Sequence, residues 1–137
     1  MGRVQDQVAV VTGAAAGLGR AIALRLAEEG ARMALCDIDG AGLDRTVADI
    51  TATGGQAFGL VGDVTDEEPA TRLIADAMAR YGRLDVLVKN VGGSRPAKIW
   101  DMKVEEWDFV LRLNLRSAFL CTRAALLDVR RALEKPA

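Results

Sequence analysis

The feature that most constrains this chain is the segment Thr12-Gly13-Ala14-Ala15-Ala16-Gly17-Leu18-Gly19, which follows directly on the apolar run Val8-Ala9-Val10-Val11. The run reads as a buried strand and the residues from Gly19 onward as a helix, so three glycines fall on a tight strand-to-helix turn. Gly13 permits the turn, Gly17 places no Cβ in the way of an approaching group, and Gly19 lets helix and strand pack closely. The N–H groups of the first helical turn, aided by the helix dipole, then make a cradle for phosphate. Glycines alone also occur in turns that bind nothing, so the meaning of this one rests on its surroundings.

Further strand-like runs lie at Met33-Ala34-Leu35-Cys36 and Leu84 to Val88, with a weaker one, interrupted by Gly59, over Gln56 to Val61. Between them the apolar residues take a helical period. Gly19 to Glu29 carries Ile22, Leu24 and Leu26 and stops at Gly30; Ala41 to Ala52 stops at Gly54-Gly55. A third helix is predicted to open at Thr65, with Glu68 completing a capping box, and to run to Gly82. This alternation predicts an α/β fold, a Rossmann-type doubly wound parallel sheet. Gly92-Gly93-Ser94-Arg95-Pro96 then forms a loop, followed by mostly helical sequence from Val104 to Glu134. With no repeat and no low-complexity linker, residues 1–137 are expected to form a single dinucleotide-binding domain.

Charge excludes one class of partner. The 18 basic and 19 acidic residues are mixed along the chain, which leaves no basic stripe for nucleic acid. There is no histidine, and Cys36 and Cys121 sit in apolar stretches without a CxxC, so no metal site or disulfide is expected, only two buried thiols of a reducing cytosol. The sequence shows no signal-peptide pattern and no run of membrane-spanning length, and Asp6 stands where a myristoylation motif needs Ser or Thr. A cytoplasmic location without a membrane partner is the expectation.

Asp37 ends the second strand run, 18 residues after Gly19, about where an acidic side chain meets the adenosine ribose of a dinucleotide. A carboxylate there accepts hydrogen bonds from the 2′- and 3′-hydroxyls and repels a 2′-phosphate. Neither Ala16 nor Ile38 offers a positive charge to that phosphate. NAD(H) is therefore expected in preference to NADP(H). The alternative is a turn-forming aspartate ahead of Asp39-Gly40.

These residues together resemble the short-chain dehydrogenases/reductases. The family's TGxxxGxG stands at Thr12 to Gly19, and Asp63-Val64 resembles its adenine-contacting pair. Lys89-Asn90-Val91-Gly92 is similar to its NNAG segment, while Asn114, with Trp107 seven residues earlier, matches the asparagine of its catalytic tetrad. The likeness runs to about Ala125. It implies hydride transfer between a nicotinamide cofactor and an alcohol or carbonyl substrate. It also implies that Thr12, Gly13, Gly17, Leu18, Gly19, Asp37, Asp63, Val64, Asn90 and Gly92 serve the cofactor, with Asn114 the only tetrad member present.

The departures bear on activity. The family's serine, which orients the substrate oxygen, and its Tyr-x-x-x-Lys, the general acid/base with its pKa-lowering lysine, have no counterpart here. Tyr81 is the only tyrosine; Asp85 stands four residues on, and the ring reads as a packing group. After Leu126, where the family turns into a fifth strand, Asp128 to Ala137 is polar and helix-forming. The chain is therefore expected to be a truncated form, by a shifted frame, an early stop or cropping. Lys89 reads either as an improvised base near the nicotinamide or as a packed stem with its amine in water. Val91 adds bulk where the cofactor would pass. Asn114 without its partners reads also as a helix amide bonding backbone of the fourth strand.

Without a fifth strand, Leu84 to Val88 is expected to be an open edge. Phe109, Leu113, Phe119, Leu120, Leu126 and Leu127 are expected to form a broad apolar surface, and the resemblance implies that a helix here packs on a partner subunit. A homo-oligomer, or association with full-length relatives, follows. Three functions stay open: a cofactor half with little or no turnover, an oxidoreductase completed in trans or by Lys89, and a non-catalytic interaction protein.

Overall fold

The computed structural model describes residues 2–135. Four strands, β1 (Val8–Thr12), β2 (Arg32–Asp37), β3 (Ala57–Val61) and β4 (Val86–Val88), form one parallel sheet in the order β3-β2-β1-β4. Helices α1 (Gly17–Glu28), α2 (Gly40–Ala52), α3 (Glu67–Tyr81), α4 (Val104–Leu111) and α5 (Ser117–Glu134) flank it. The strands read as continuous apolar runs because both faces are covered. Ala9, Val11, Met33 and Leu35 turn to one face, with Ala23 of α1 and Leu43 and Ile50 of α2. Val10, Ala34, Cys36 and Leu60 turn to the other, with Leu73 and Ile74 of α3 and Leu120 and Cys121 of α5. Each fully buried leucine or isoleucine stabilises this packing by roughly 1.5–3 kcal/mol. The expected Rossmann-type doubly wound sheet is what forms.

Element ends shift where side chains compete. Strand β4 has three residues and pairs only with β1, Ala9 opposite Val86 through Val11 opposite Val88, so it is an edge. Asp85 stands just before it and extends the pairing by other means. Its carboxylate accepts the Val8 N–H at 2.8 Å, and its own N–H donates to the Val8 carbonyl at 3.0 Å. Arg83 forks onto the same carboxylate at 2.8 and 2.6 Å, and that hydrogen bond holds it below the ordinary carboxylate range. The predicted capping box is corrected: α3 starts at Glu67 behind Asp66, and the Thr65 hydroxyl donates instead to Asp63 at 2.7 Å. Helix α2 has the cap that was not foreseen, since Asp39 accepts the Gly42 N–H at 3.0 Å.

A five-residue π-helical segment, Arg112–Arg116, joins α4 to α5. The polar stretch from Asp128 continues α5 as far as Glu134, while Pro136 and Ala137 lie outside the described residues, as does Met1. Cys36 and Cys121 are free and buried, and burial pushes their thiols up to about 12 and about 11, which keeps them unreactive. Tyr81 is the packing residue it was read to be: its hydroxyl donates to the Met33 carbonyl at 3.4 Å and its ring lies 5.8 Å from that of Phe58. Among the described residues no helix is long and apolar enough to cross a membrane.

Candidate functional site

The chain lays β2 and then β3 on one side of β1, and crosses back to place β4 on the other. Such a reversal opens a crevice at the carboxyl ends of the strands. A cleft of about 400 Å³ occupies that place, lined by Gly13, Asp37, Asp63, Val64, Asn90 and Gly92 among others.

The glycine turn is built for closeness. Gly13 (φ +67°) and Gly17 (φ +57°) take left-handed backbone, which disfavours any side chain. A Cβ at Gly13 would stand 2.7 Å from Asn90 Nδ2, and one at Gly19 would overlap the Gly13 carbonyl. Gly17 faces open space. Thr12 is buried beneath the cleft, and its hydroxyl accepts the N–H groups of Asn90 (3.1 Å) and Val91 (3.3 Å). Asn90 returns the tie through Nδ2 to the Gly13 carbonyl at 3.2 Å. The Ala14 N–H donates to Cys36 O at 3.2 Å, so the ends of β1, β2 and β4 are laced together. Helix α1 then starts behind Ala16 with no side-chain cap, Leu18 exposed in its first turn. Its leading N–H groups have no partner within the helix.

Asp37 closes β2 and faces the cleft. One carboxylate oxygen accepts the Ala15 N–H and the other the Asp39 N–H, each at 2.9 Å. Each oxygen keeps a further lone pair for a ligand hydroxyl. Asp63 is fixed by Thr65, whose N–H and hydroxyl both donate to its Oδ1, at 2.9 and 2.7 Å.

Asn114 sits in the π-helical segment, a backbone form frequent at functional sites. Its Oδ1 accepts the Gly93 N–H at 3.1 Å; its Nδ2 donates to the carbonyls of Gly93 at 2.7 Å and Val110 at 2.8 Å. It therefore binds backbone of the loop after β4, and Gly92 has no room for a side chain, a Cβ there standing 2.6 Å from Asn114 Oδ1. Lys89 donates to Thr122 Oγ1 on α5 at 3.2 Å and is not among the residues lining the cleft.

The expected partner surface needs correction. Leu113 walls the cleft and Leu120 is buried against the sheet, while Phe109 walls the cleft and remains exposed. Phe119, Leu126 and Leu127 stay exposed, joined by Leu115. The signal for Phe109 and Leu113 was present: they lie one helical turn apart, and Leu113 directly precedes Asn114.

A parallel sheet with its cleft at the strand reversal and a glycine turn opening the first helix defines a Rossmann-type fold. The chain belongs to the short-chain dehydrogenase family, whose model matches residues 7–132. It is 41% identical over 132 residues to a cyclopentanol dehydrogenase of Comamonas testosteroni, covering 96% of this chain and 53% of that protein. It is 40% identical to a 3-oxoacyl-[acyl-carrier-protein] reductase of Synechocystis sp., covering 86% of this chain and 48% of the other. The crystal structure of a short chain dehydrogenase from Mycobacterium avium superposes with a TM-score of 0.93 at 38% identity, over 98% of this chain and 50% of that one. The chain thus spans about half the length of the relatives it matches.

Proposed function

We propose that this chain is the cofactor half of a dehydrogenase acting between an alcohol and a ketone, and that it binds NAD(H) in preference to NADP(H). The observation that carries the reading is Asp37, held at the cleft by two backbone N–H groups with lone pairs to spare for ribose hydroxyls. A 2′-phosphate would meet that carboxylate, and among the residues lining the cleft there is no lysine or arginine to receive it. The fit extends along the cleft. Left-handed Gly13 and Gly17 and the uncapped start of α1 suit a diphosphate on backbone donors, while Ile38, Val64 and Leu113 give apolar walls for an adenine ring.

When bound, the nicotinamide supplies the carbon that gives or takes hydride. The chain's own residues hold and orient it: Asn90 keeps the glycine turn in shape, and Asn114 sets the loop that follows Gly92. The names of the relatives, an alcohol dehydrogenase and an oxoacyl reductase, support an alcohol or carbonyl substrate. This chain supplies no Tyr-x-x-x-Lys. A positioned acid/base is worth about 10²–10⁴-fold in rate, so turnover by the chain alone is small or nil. The exposed Leu115, Phe119 and Leu126 favour association, either as a homo-oligomer or with full-length relatives. The test is to incubate the chain with NAD⁺ and an alcohol panel while following absorbance at the NADH band. No hydride transfer is expected, with cofactor binding still visible through Trp100 and Trp107 fluorescence. Turnover comparable to that of a complete dehydrogenase would refute the half-enzyme reading.

A further inference from the structure

Asp63 lines the cleft beside Val64, against which the reading above lays an adenine ring. Oδ1 of Asp63 is taken up by the N–H and the hydroxyl of Thr65, at 2.9 and 2.7 Å. Among the described residues Oδ2 accepts nothing, which leaves it open to an amino group. The aim of that oxygen depends on how Thr65 is held. Thr65 is only 4% exposed, so its carbonyl needs a donor from the protein. The residue four further on, where a helical N–H would come from, is Pro69, which has none. The donor comes instead from across the fold: Nε of Arg116 donates to the Thr65 carbonyl at 2.9 Å. Arg112, four residues earlier on the same π-helical segment, holds the neighbouring Asp66. Between the two arginines Asn114 grips Gly93, so this segment ties the loop after β3 to the loop after β4.

We propose that Arg116 is a positioning residue for recognition of the purine base. It is not among the residues lining the cleft. By supplying the donor that Pro69 lacks, it fixes Thr65, and through Thr65 it aims the open oxygen of Asp63 at the 6-amino group of adenine. This rests on the cofactor reading above and adds the device that selects the base. Arg123 offers the matched comparison, since it also reaches from α5 to α3 but bonds to Glu67 and touches neither Thr65 nor Asp63.

The experiment is calorimetric titration with NADH and with reduced nicotinamide hypoxanthine dinucleotide, whose purine carries oxygen in place of the 6-amino group. Wild type should prefer NADH by about 10-fold, the difference expected when a donor facing a carboxylate is lost. Arg116→Met keeps the apolar stem and removes the donor. Its preference should fall to that of Asp63→Ala, while Arg123→Ala keeps the preference of wild type. The ratio of two affinities within one protein is not moved by a general loss of stability. An Arg116→Met chain that keeps the wild-type preference overturns the proposal, even where both ligands bind more weakly. Loss of preference in Arg123→Ala as well also overturns it, by showing a general loosening of α5 from α3. A wild type that binds both dinucleotides alike overturns it while leaving the cofactor reading intact. A wild type that binds no NADH overturns both.

Discussion

At the scale of single residues, Asp37 has two tasks. It faces the cleft, where the proposed cofactor would lie, and by accepting the Ala15 N–H it also shapes the glycine turn. Asp37→Ala should therefore weaken NADH roughly 10–100-fold, the loss of contacts to a charged group worth about 1.5–3 kcal/mol, as measured by calorimetric titration. Gly19→Ala acts differently, since its new Cβ would overlap the Gly13 carbonyl. Overpacking of this kind costs about 1–3 kcal/mol, to be read from a lower denaturant midpoint with unchanged slope. The place of Asp37 at the end of β2, facing the cleft, was legible from its distance to Gly19. Its bond to Ala15 was not, because it spans 22 residues and depends on how the end of β2 meets the turn. The tie between Thr12 and Asn90 was hidden for the same reason, as it exists only once β4 lies beside β1.

At the scale of elements, the edge strand depends on Asp85. This carboxylate is held below its ordinary range, first by the Arg83 hydrogen bond, so it stabilises the folded chain above the unfolded value of about 3.9 and loses that effect as pH falls through its lowered folded value. Asp85→Asn should lower the melting temperature at pH 7, and the gap to wild type should close as the buffer is acidified below pH 4. A gap that persists unchanged in acid would remove the charge from the account. Asn114→Ala, which strands the Gly93 backbone and Val110 carbonyl groups, should cost about 1–2 kcal/mol and speed hydrogen exchange in the loop after β4. The long apolar runs made β1 and β2 easy to read. The run at Leu84 overstated β4 because Asp85 pairs by its side chain, and Thr65 misled because its hydroxyl bonds to Asp63 before it can cap α3. The one-turn spacing of Phe109 and Leu113 signalled a shared face, but not that this face lines the cleft, which depends on how α4 and the π-helical segment lie against the strand ends.

At the scale of the whole molecule, β4 is the last strand of the described sheet and the segment from Leu115 to Leu126 carries exposed apolar side chains. Leu115 and Leu126 are both 66% exposed and Phe119 55%, a surface that suits the association proposed above. Light scattering at micromolar concentration should report a species larger than a monomer, and Phe119→Glu should shift it toward one. A wild-type monomer across that range would contradict the association. The sequence showed that such a surface exists, with Phe109 also exposed, but it included Leu120, which packs inward on the sheet, and Leu113, which walls the cleft. The cleft at Gly13 and Asp37 is proposed to be a working NAD(H) site within this half-length chain. Its most direct test is calorimetric titration of the wild-type chain with NADH and with NADPH in parallel. Saturable binding of one NADH per chain is expected, about 10-fold or more tighter than NADPH, the difference expected of one repelled phosphate. Absence of NADH binding, or NADPH bound as tightly, would contradict it.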